Sequence, residues 1–207
     1  PLPECGKTRL LEVLESLVVK AWFTARVSAA VLMRKVDKDQ PTLLLVGRTP
    51  LPPTEEAPAT RGLESPRDVK AALMGKMRDS DEAITPAKVE TAYNHLLKER
   101  EIRDNLSAMQ NAGAHVRYYQ VDVCNERAFG DVIDAIYHDY GRLDGVIHGA
   151  GIIEDKFIED KTLDSFARVF DTKVCGAGSL VAGVDASTTI VLFGSIAGLF
   201  GNRGQVD

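Results

Sequence analysis

The sequence predicts an α/β fold: a parallel sheet with helices on both faces. Three observations carry this. From about residue 112, strand-like runs alternate with stretches of helical period. The strand runs lack the polar alternation of a sheet with one wet face. Their carboxyl ends run into small or polar residues: Gly47-Arg48, Asp122-Val123, His148-Gly149-Ala150-Gly151 and Gly194-Ser195. Alternating strands and helices with such ends are the pattern of a sheet covered on both sides.

Composition agrees. The chain has 207 residues, 44% hydrophobic and 27% charged, which suits one soluble globular domain. A formal net charge of -5 gives no reason to expect nucleic acid or an anionic membrane as partner. Cys5, Cys124 and Cys175 are scattered, with no CxxC pair, so neither a disulfide framework nor a metal site is expected. No run of eighteen apolar residues occurs and no signal peptide is legible, so a reducing cytoplasm is the expected compartment. Pro1 is not a natural initiator, so the chain reads as a piece of a longer protein.

Residues 1–16 read as an N-terminal extension or linker, and 17–207 as one domain. Gly6-Lys7-Thr8 imitates the end of a phosphate-binding loop. The motif needs a glycine five residues earlier, where Pro1 stands, and a strand in front, so it is set aside. Ser28 to Lys38 reads as helical. Pro41 to Arg48 is a buried strand with a basic residue at its carboxyl end. A proline-marked loop follows, and residues 64–111 read as two charged helices, the second from Thr85 to Gln110 with Pro86 in its first turn. One helix would suffice between two strands, so 50–111 is read as a helical insertion after the second strand, a lid or docking surface. His115 to Val123 is a strand. Asn125 to Tyr140 is an amphipathic helix with Phe129, Val132, Ile133 and Ile136 at helical spacing. Asp144 to His148 is a short apolar run, Thr162 to about Val181 a helix, and Thr188 to Phe193 an apolar strand.

In an open parallel sheet the ligand lies beyond the carboxyl ends of the strands. Arg48 supplies charge for a ribose 2′-phosphate where an NAD enzyme has an acid, and Asp122 can accept from an adenine amino group. Each feature alone reads as an ordinary turn or a surface arginine. Four of them in order point to a dinucleotide rim.

These residues carry a family resemblance. LVGRTPLP, the VDV of 121–123, DGVIHGAG, EDK, FARVFDTKVCGA, IVLFGSIAG and FGNRGQVD together resemble the ketoreductase domains of type I polyketide synthases. These are NADP-dependent proteins of the short-chain dehydrogenase superfamily. The likeness is greatest to the iterative and polyunsaturated-fatty-acid synthase kinds and spans roughly residues 24–207. It implies a Rossmann-like doubly wound sheet and NADPH as cofactor. The implied substrate is a β-ketoacyl group held as a thioester on an acyl carrier protein and reduced to β-hydroxyacyl. The implied surroundings are the other domains of a multidomain synthase. The implied cofactor contacts are Thr24, Arg48, Asp122, Val123, His148, Gly149, Ala150 and Gly151.

The resemblance also assigns catalytic roles. Ser195 would hold the substrate carbonyl; read without it, Ser195 is a turn or helix-capping serine. Lys173, on a stripe with Phe166, Phe170 and Ala177, would lower the pKa of a tyrosine and touch the ribose. Otherwise it is a lysine snorkelling at the stripe's edge. The tyrosine belongs thirteen positions after Ser195, at 208, one past Asp207, so the chain as it stands is expected to be nearly inactive. His148 reads as a packed residue whose backbone lines the cofactor. Ile153-Glu154-Asp155 aligns loosely with a Leu-Asp-Asp signature of hydroxyl stereochemistry; otherwise its acids are simply solvated.

One feature departs from the pattern. Where the family has Thr-Gly-Gly-x-x-Gly-Ile-Thr, this chain reads Leu17-Val18-Val19-Lys20-Ala21-Trp22-Phe23-Thr24, with no glycine to let a pyrophosphate approach. The site is degenerate and cofactor-free, or the segment resembles the family's structural half (which lacks the Ser and Lys found here), or a compensated frame shift has rewritten it. The rival function is therefore a non-catalytic structural or docking piece of a synthase, with the insertion helices as its surface.

Overall fold

The computed structural model describes residues 29–36, 40–80 and 84–206. Thr24, the glycine-less segment 17–26, the extension 1–16 and Gly6-Lys7-Thr8 lie outside the described residues.

In chain order the elements are β1 (Ala29–Val36), β2 (Gln40–Gly47), α1 (Pro66–Asp79), α2 (Pro86–Asn111), β3 (His115–Gln120), α3 (Glu126–Tyr140), β4 (Gly145–His148), α4 (Leu163–Gly183), β5 (Thr189–Leu192) and α5 (Ala197–Phe200). The five strands form one sheet in the order β3-β2-β1-β4-β5. β2 is parallel to β3, and β4 to β5. The class is α/β, as the alternation of elements predicts.

β1 is the main surprise. Ser28 to Lys38 reads as helical, yet Ala29–Val36 is a strand, antiparallel to β2 on one side and to β4 on the other. Ala, Leu, Met, Arg and Lys are good helix formers, but propensities differ by less than about 1 kcal/mol per residue. β2 and β4 each need a partner for their backbone N–H and C=O groups, and one strand satisfies both edges. Its first residues therefore lie beside the carboxyl ends of its neighbours: Ala29 pairs with Gly47, and Ala30 with His148.

The core is built from Leu44 and Val46 of β2, Val146 of β4, Phe129, Ile133 and Ile136 of α3, and Leu180 of α4. Positions i, i+4 and i+7 on α3 form one apolar face. Asn125 caps that helix by accepting from the Ala128 amide at 3.1 Å. Gly141, at φ 77°, ends it.

α4 begins at Thr162, whose hydroxyl accepts from the Ser165 amide at 3.2 Å. Its buried residues are Ser165, Thr172, Gly176 and Leu180, not the predicted apolar stripe. Phe166 and Phe170 are exposed and stack on each other at 5.6 Å. Close approach explains the swap. A Cβ on Gly176 would sit 2.7 Å from His148 Cε1, and one on Gly183 3.0 Å from Ile133 Cδ1. At those two positions the helix lies too near His148 of β4 and Ile133 of α3 to admit a side chain, while Leu180 on the same face fills the core. β5 also departs from expectation. Its run is apolar, but Val191 is 41% and Leu192 53% exposed. Among the described residues β5 pairs only with β4, so its outer edge is uncovered.

Leu51–Ala112 forms a compact unit of its own. Its apolar interior is small, with Val69, Val89 and Leu96 buried. A charged clamp supplements it. Arg100 grips the Glu56 carboxylate with two N–H groups at 2.8 and 2.7 Å and donates to the carbonyls of Leu63 and Thr60. The Arg100 guanidinium holds the Glu56 carboxyl below its ordinary pKa. No helix among the described residues is long and apolar enough to cross a membrane.

Candidate functional site

The four parallel strands end at one rim. Gly47 of β2 is in register with Gln120 of β3, and His148 of β4 with Leu192 of β5. Residues that sequence spacing alone left far apart meet there in two groups.

The first group lies at the ends of β2 and β3. Arg48 Nη1 stands 3.9 Å from Asp122 Oδ2, with the two side chains 50% and 43% exposed. At that exposure the pair is weak and both groups can turn to a ligand. Asp122 Oδ1 also accepts from the Cys124 amide at 3.0 Å, which fixes its turn. Two side chains that sequence reasoning missed hold the Arg48 turn. Tyr118 donates its hydroxyl to the Thr49 carbonyl, and Gln120 Nε2 donates to the Arg48 carbonyl at 3.4 Å. Gly47 must be small here, because a Cβ would meet Tyr118 Oη at 2.6 Å. Val123 is buried in the core, so it offers the rim only its backbone.

The second group lies at the ends of β4 and β5. Lys173, half-buried on α4, donates from Nζ to the Phe193 carbonyl at 3.0 Å. Its stem runs past Gly151, where a Cβ would lie 3.2 Å from Cε and 3.4 Å from Nζ. Burial pushes its pKa below the ordinary lysine value. Lys173 thus reaches the strand end that leads, two residues on, to Ser195. Ser195 is exposed, and its Oγ accepts from the Ala197 amide at 3.1 Å, the local turn bond a serine makes at the start of a short helix. Gly149 and Gly151 are partly exposed; Ala150 is buried.

His148 is packed, 1% exposed, with Nε2 at 3.1 Å from the Lys173 backbone carbonyl. A carbonyl only accepts, so Nε2 carries the proton and the ring is that tautomer. Nδ1 is buried with no hydrogen-bond partner among the described residues. Burial, chiefly, pushes the ring's pKa down, so the imidazole is neutral near pH 7.

The loop after β4 is ordered by its acids rather than left solvated. The Glu154 carboxylate accepts from Ser165 Oγ at 2.7 Å and from two N–H groups of Arg168 at 2.8 and 2.7 Å. Arg168 first, then Ser165, bring its pKa down to about 2. Asp155 accepts from Gln205 Nε2 at 3.1 Å, and the Lys156 amide donates to the Gly204 carbonyl at 2.9 Å, tying this loop to the segment after α5.

Comparison with known proteins follows the same lines. Residues 25–207 match the family described as the KR domain. The chain is 34% identical over 129 residues to a polyunsaturated fatty acid synthase polypeptide of Thraustochytrium sp. (strain ATCC 26185 / S-3), covering 59% of this chain and 4% of that one. It is 37% identical over 108 residues to polyketide synthase PksN of Bacillus subtilis (strain 168), covering 49% of this chain and 2% of the synthase. The chain therefore spans a few per cent of the length of these relatives. Among solved structures it is similar to an N-terminal ketoreductase from the macrolactin assembly line, with 33% identity and a TM-score of 0.48, covering 51% of this chain and 22% of that one.

Proposed function

Because this chain belongs to the KR domain family, the ketoreductase domains of polyketide synthases within the short-chain dehydrogenase superfamily, we propose that it serves NADPH-dependent reduction of a β-ketoacyl thioester on an acyl carrier protein. The product is the β-hydroxyacyl thioester, and the partners are the other domains of a synthase. The observation that carries the proposal is the reach of Lys173 along Gly151 to Phe193, beside the turn that holds Ser195.

The residues suit the cofactor at its adenosine end. Arg48 is half exposed and held on a braced turn, with a guanidinium that matches a 2′-phosphate bidentately. Asp122 beside it accepts from an adenine amine. The backbone of Val123, His148 and Ala150, with Gly149 and Gly151, offers a flat ring an approach along the main chain; Thr24, outside the described residues, is a further contact that the family resemblance implies. When bound, the nicotinamide supplies hydride to the β-carbon. Ser195 accepts the Ala197 amide at its Oγ while its O–H donates to the substrate carbonyl oxygen, where negative charge develops. Lys173, its ammonium half out of water, adds positive charge near the proton-transfer site and favours loss of a proton from the tyrosine phenol that the resemblance implies beyond Ser195.

The test is a fluorescence titration of the 207-residue chain with NADPH and NADH. Micromolar NADPH binding is expected. Arg48→Ala should weaken NADPH at least tenfold and leave NADH nearly unchanged, since one charge-assisted contact contributes about 1.5–3 kcal/mol. A second reading, a non-catalytic docking piece, is favoured by the lack of any glycine in residues 17–26. Absence of binding at millimolar NADPH would decide for it.

A further inference from the structure

Three hydrogen bonds close a ring among three residues. The His148 ring binds the Lys173 carbonyl at 3.1 Å. Lys173 Nζ donates to the Phe193 carbonyl at 3.0 Å. The Phe193 amide donates to the His148 carbonyl at 3.1 Å. Each residue both gives and accepts one bond, and the ring joins β4, α4 and the end of β5.

We propose that His148 is a positioning residue for Lys173, fixing the lysine's backbone so that its ammonium is delivered to the end of β5. The inference rests on the reading of Lys173 as a catalytic group.

The geometry argues for a dedicated contact. In a helix the Lys173 carbonyl already accepts the amide four residues on. The imidazole takes its second lone pair, which a core-filling residue has no need to do. The sequence makes room for the ring at one place. Gly176 lies one turn beyond Lys173, and a Cβ there would stand 2.7 Å from Cε1 and 3.2 Å from Nε2. Gly178, on the same helix, has nothing within 4 Å of its would-be Cβ, so small size there is not required by packing. The same strand end acts twice on the lysine: His148 holds its root, and Gly151 leaves space for its stem. Through its own carbonyl His148 also holds Phe193, two residues before Ser195. One residue thereby holds both the root of Lys173 and the strand end that leads to Ser195.

A long side chain amplifies displacement of its root. If the carbonyl is released, α4 can shift and Nζ loses Phe193 for water. The buried ammonium then becomes an ordinary one, and its pKa rises.

The experiment is competitive acylation of the full 207-residue chain with acetic anhydride across pH, read by peptide mass spectrometry. Exposed Lys88 serves as internal reference. The pH midpoint of Lys173 labelling is the readout, because it reports the ammonium's environment independently of how fast the amine reacts. His148→Leu and Gly176→Ala should each raise the midpoint by half a unit or more, roughly threefold in the acid constant. His148→Gln, which keeps an N–H near the Nε2 position, and Gly178→Ala should leave it unchanged. Unchanged midpoints in His148→Leu and Gly176→Ala would overturn the proposal, as would a His148→Gln midpoint shifted as far as that of His148→Leu. If one variant fails to fold, the other and the glutamine rescue still decide. Failure of NADPH to bind the unaltered chain would sink the reductase reading while leaving these midpoints to judge the contact itself.

Discussion

Gly47→Ala should destabilise the protein through one oxygen atom. Gly47 ends β2 and is not in the left-handed region of backbone space, so alanine is conformationally acceptable there. The added methyl would lie 2.6 Å from Tyr118 Oη but 3.4 and 3.5 Å from the ring carbons Cζ and Cε2, which is ordinary contact. The clash is therefore with the hydroxyl alone, and relieving it pulls Tyr118 off the Thr49 carbonyl. Overpacking of this kind costs about 1–3 kcal/mol. Tyr118→Phe removes the hydroxyl and should cost about 0.5–1.5 kcal/mol, one hydrogen bond. In the double variant the methyl has nothing left to strike, so the cost should be that of Tyr118→Phe alone. The coupling energy is then at least about 1 kcal/mol, well above the ~0.3–0.5 kcal/mol scatter of independent sites. Urea denaturation of the four chains by far-UV circular dichroism measures it. Additive losses would show that Gly47 is small for another reason and that Tyr118 does not brace the Arg48 turn.

Two further predictions concern pH. The folded pKa of His148 is below 6.5, so as pH falls through 6.5 the unfolded chain takes up a proton first. Stability should drop from there downward by up to about 1.4 kcal/mol per pH unit until the folded ring titrates. In His148→Leu that component should vanish, and parallel stability curves for the two chains would refute it. Glu154 works at the other extreme. Its carboxylate stabilises the fold fully above the ordinary value of 4.5, and that contribution is lost progressively as pH falls from there and is gone once pH has fallen through about 2. Carbon-13 NMR of the side-chain carboxyl should show a midpoint near 2, moving toward 4.5 in Arg168→Met; an ordinary midpoint in the unaltered chain would contradict the Arg168–Ser165 grip.

Local pattern was enough for much of the molecule. The face of Phe129, Ile133 and Ile136 was legible because helical period needs only neighbours in sequence. So were the two insertion helices, with proline opening the second. The strand ends bearing Arg48, Asp122, His148 and Ser195 could be named in order, because turns are marked by their own residues.

What the sequence could not reveal depends on partners distant in the chain. Residues 29–36 have the composition of a helix, and only the unpaired edges of β2 and β4 make them a strand running against its neighbours. The buried face of α4 is not its apolar stripe but Ser165, Thr172, Gly176 and Leu180, because the close approach of His148 at Gly176, invisible in spacing, sets which side of the helix faces the core. Glu154 has the look of a solvated acid until Arg168, fourteen residues on, comes round to meet it. His148, Lys173 and Phe193 are three ordinary positions until folding joins them in one ring of hydrogen bonds. Periodicity encodes which way a side chain faces; only tertiary contact decides what it meets, because burial energy and hydrogen bonding act between atoms near in space rather than along the chain.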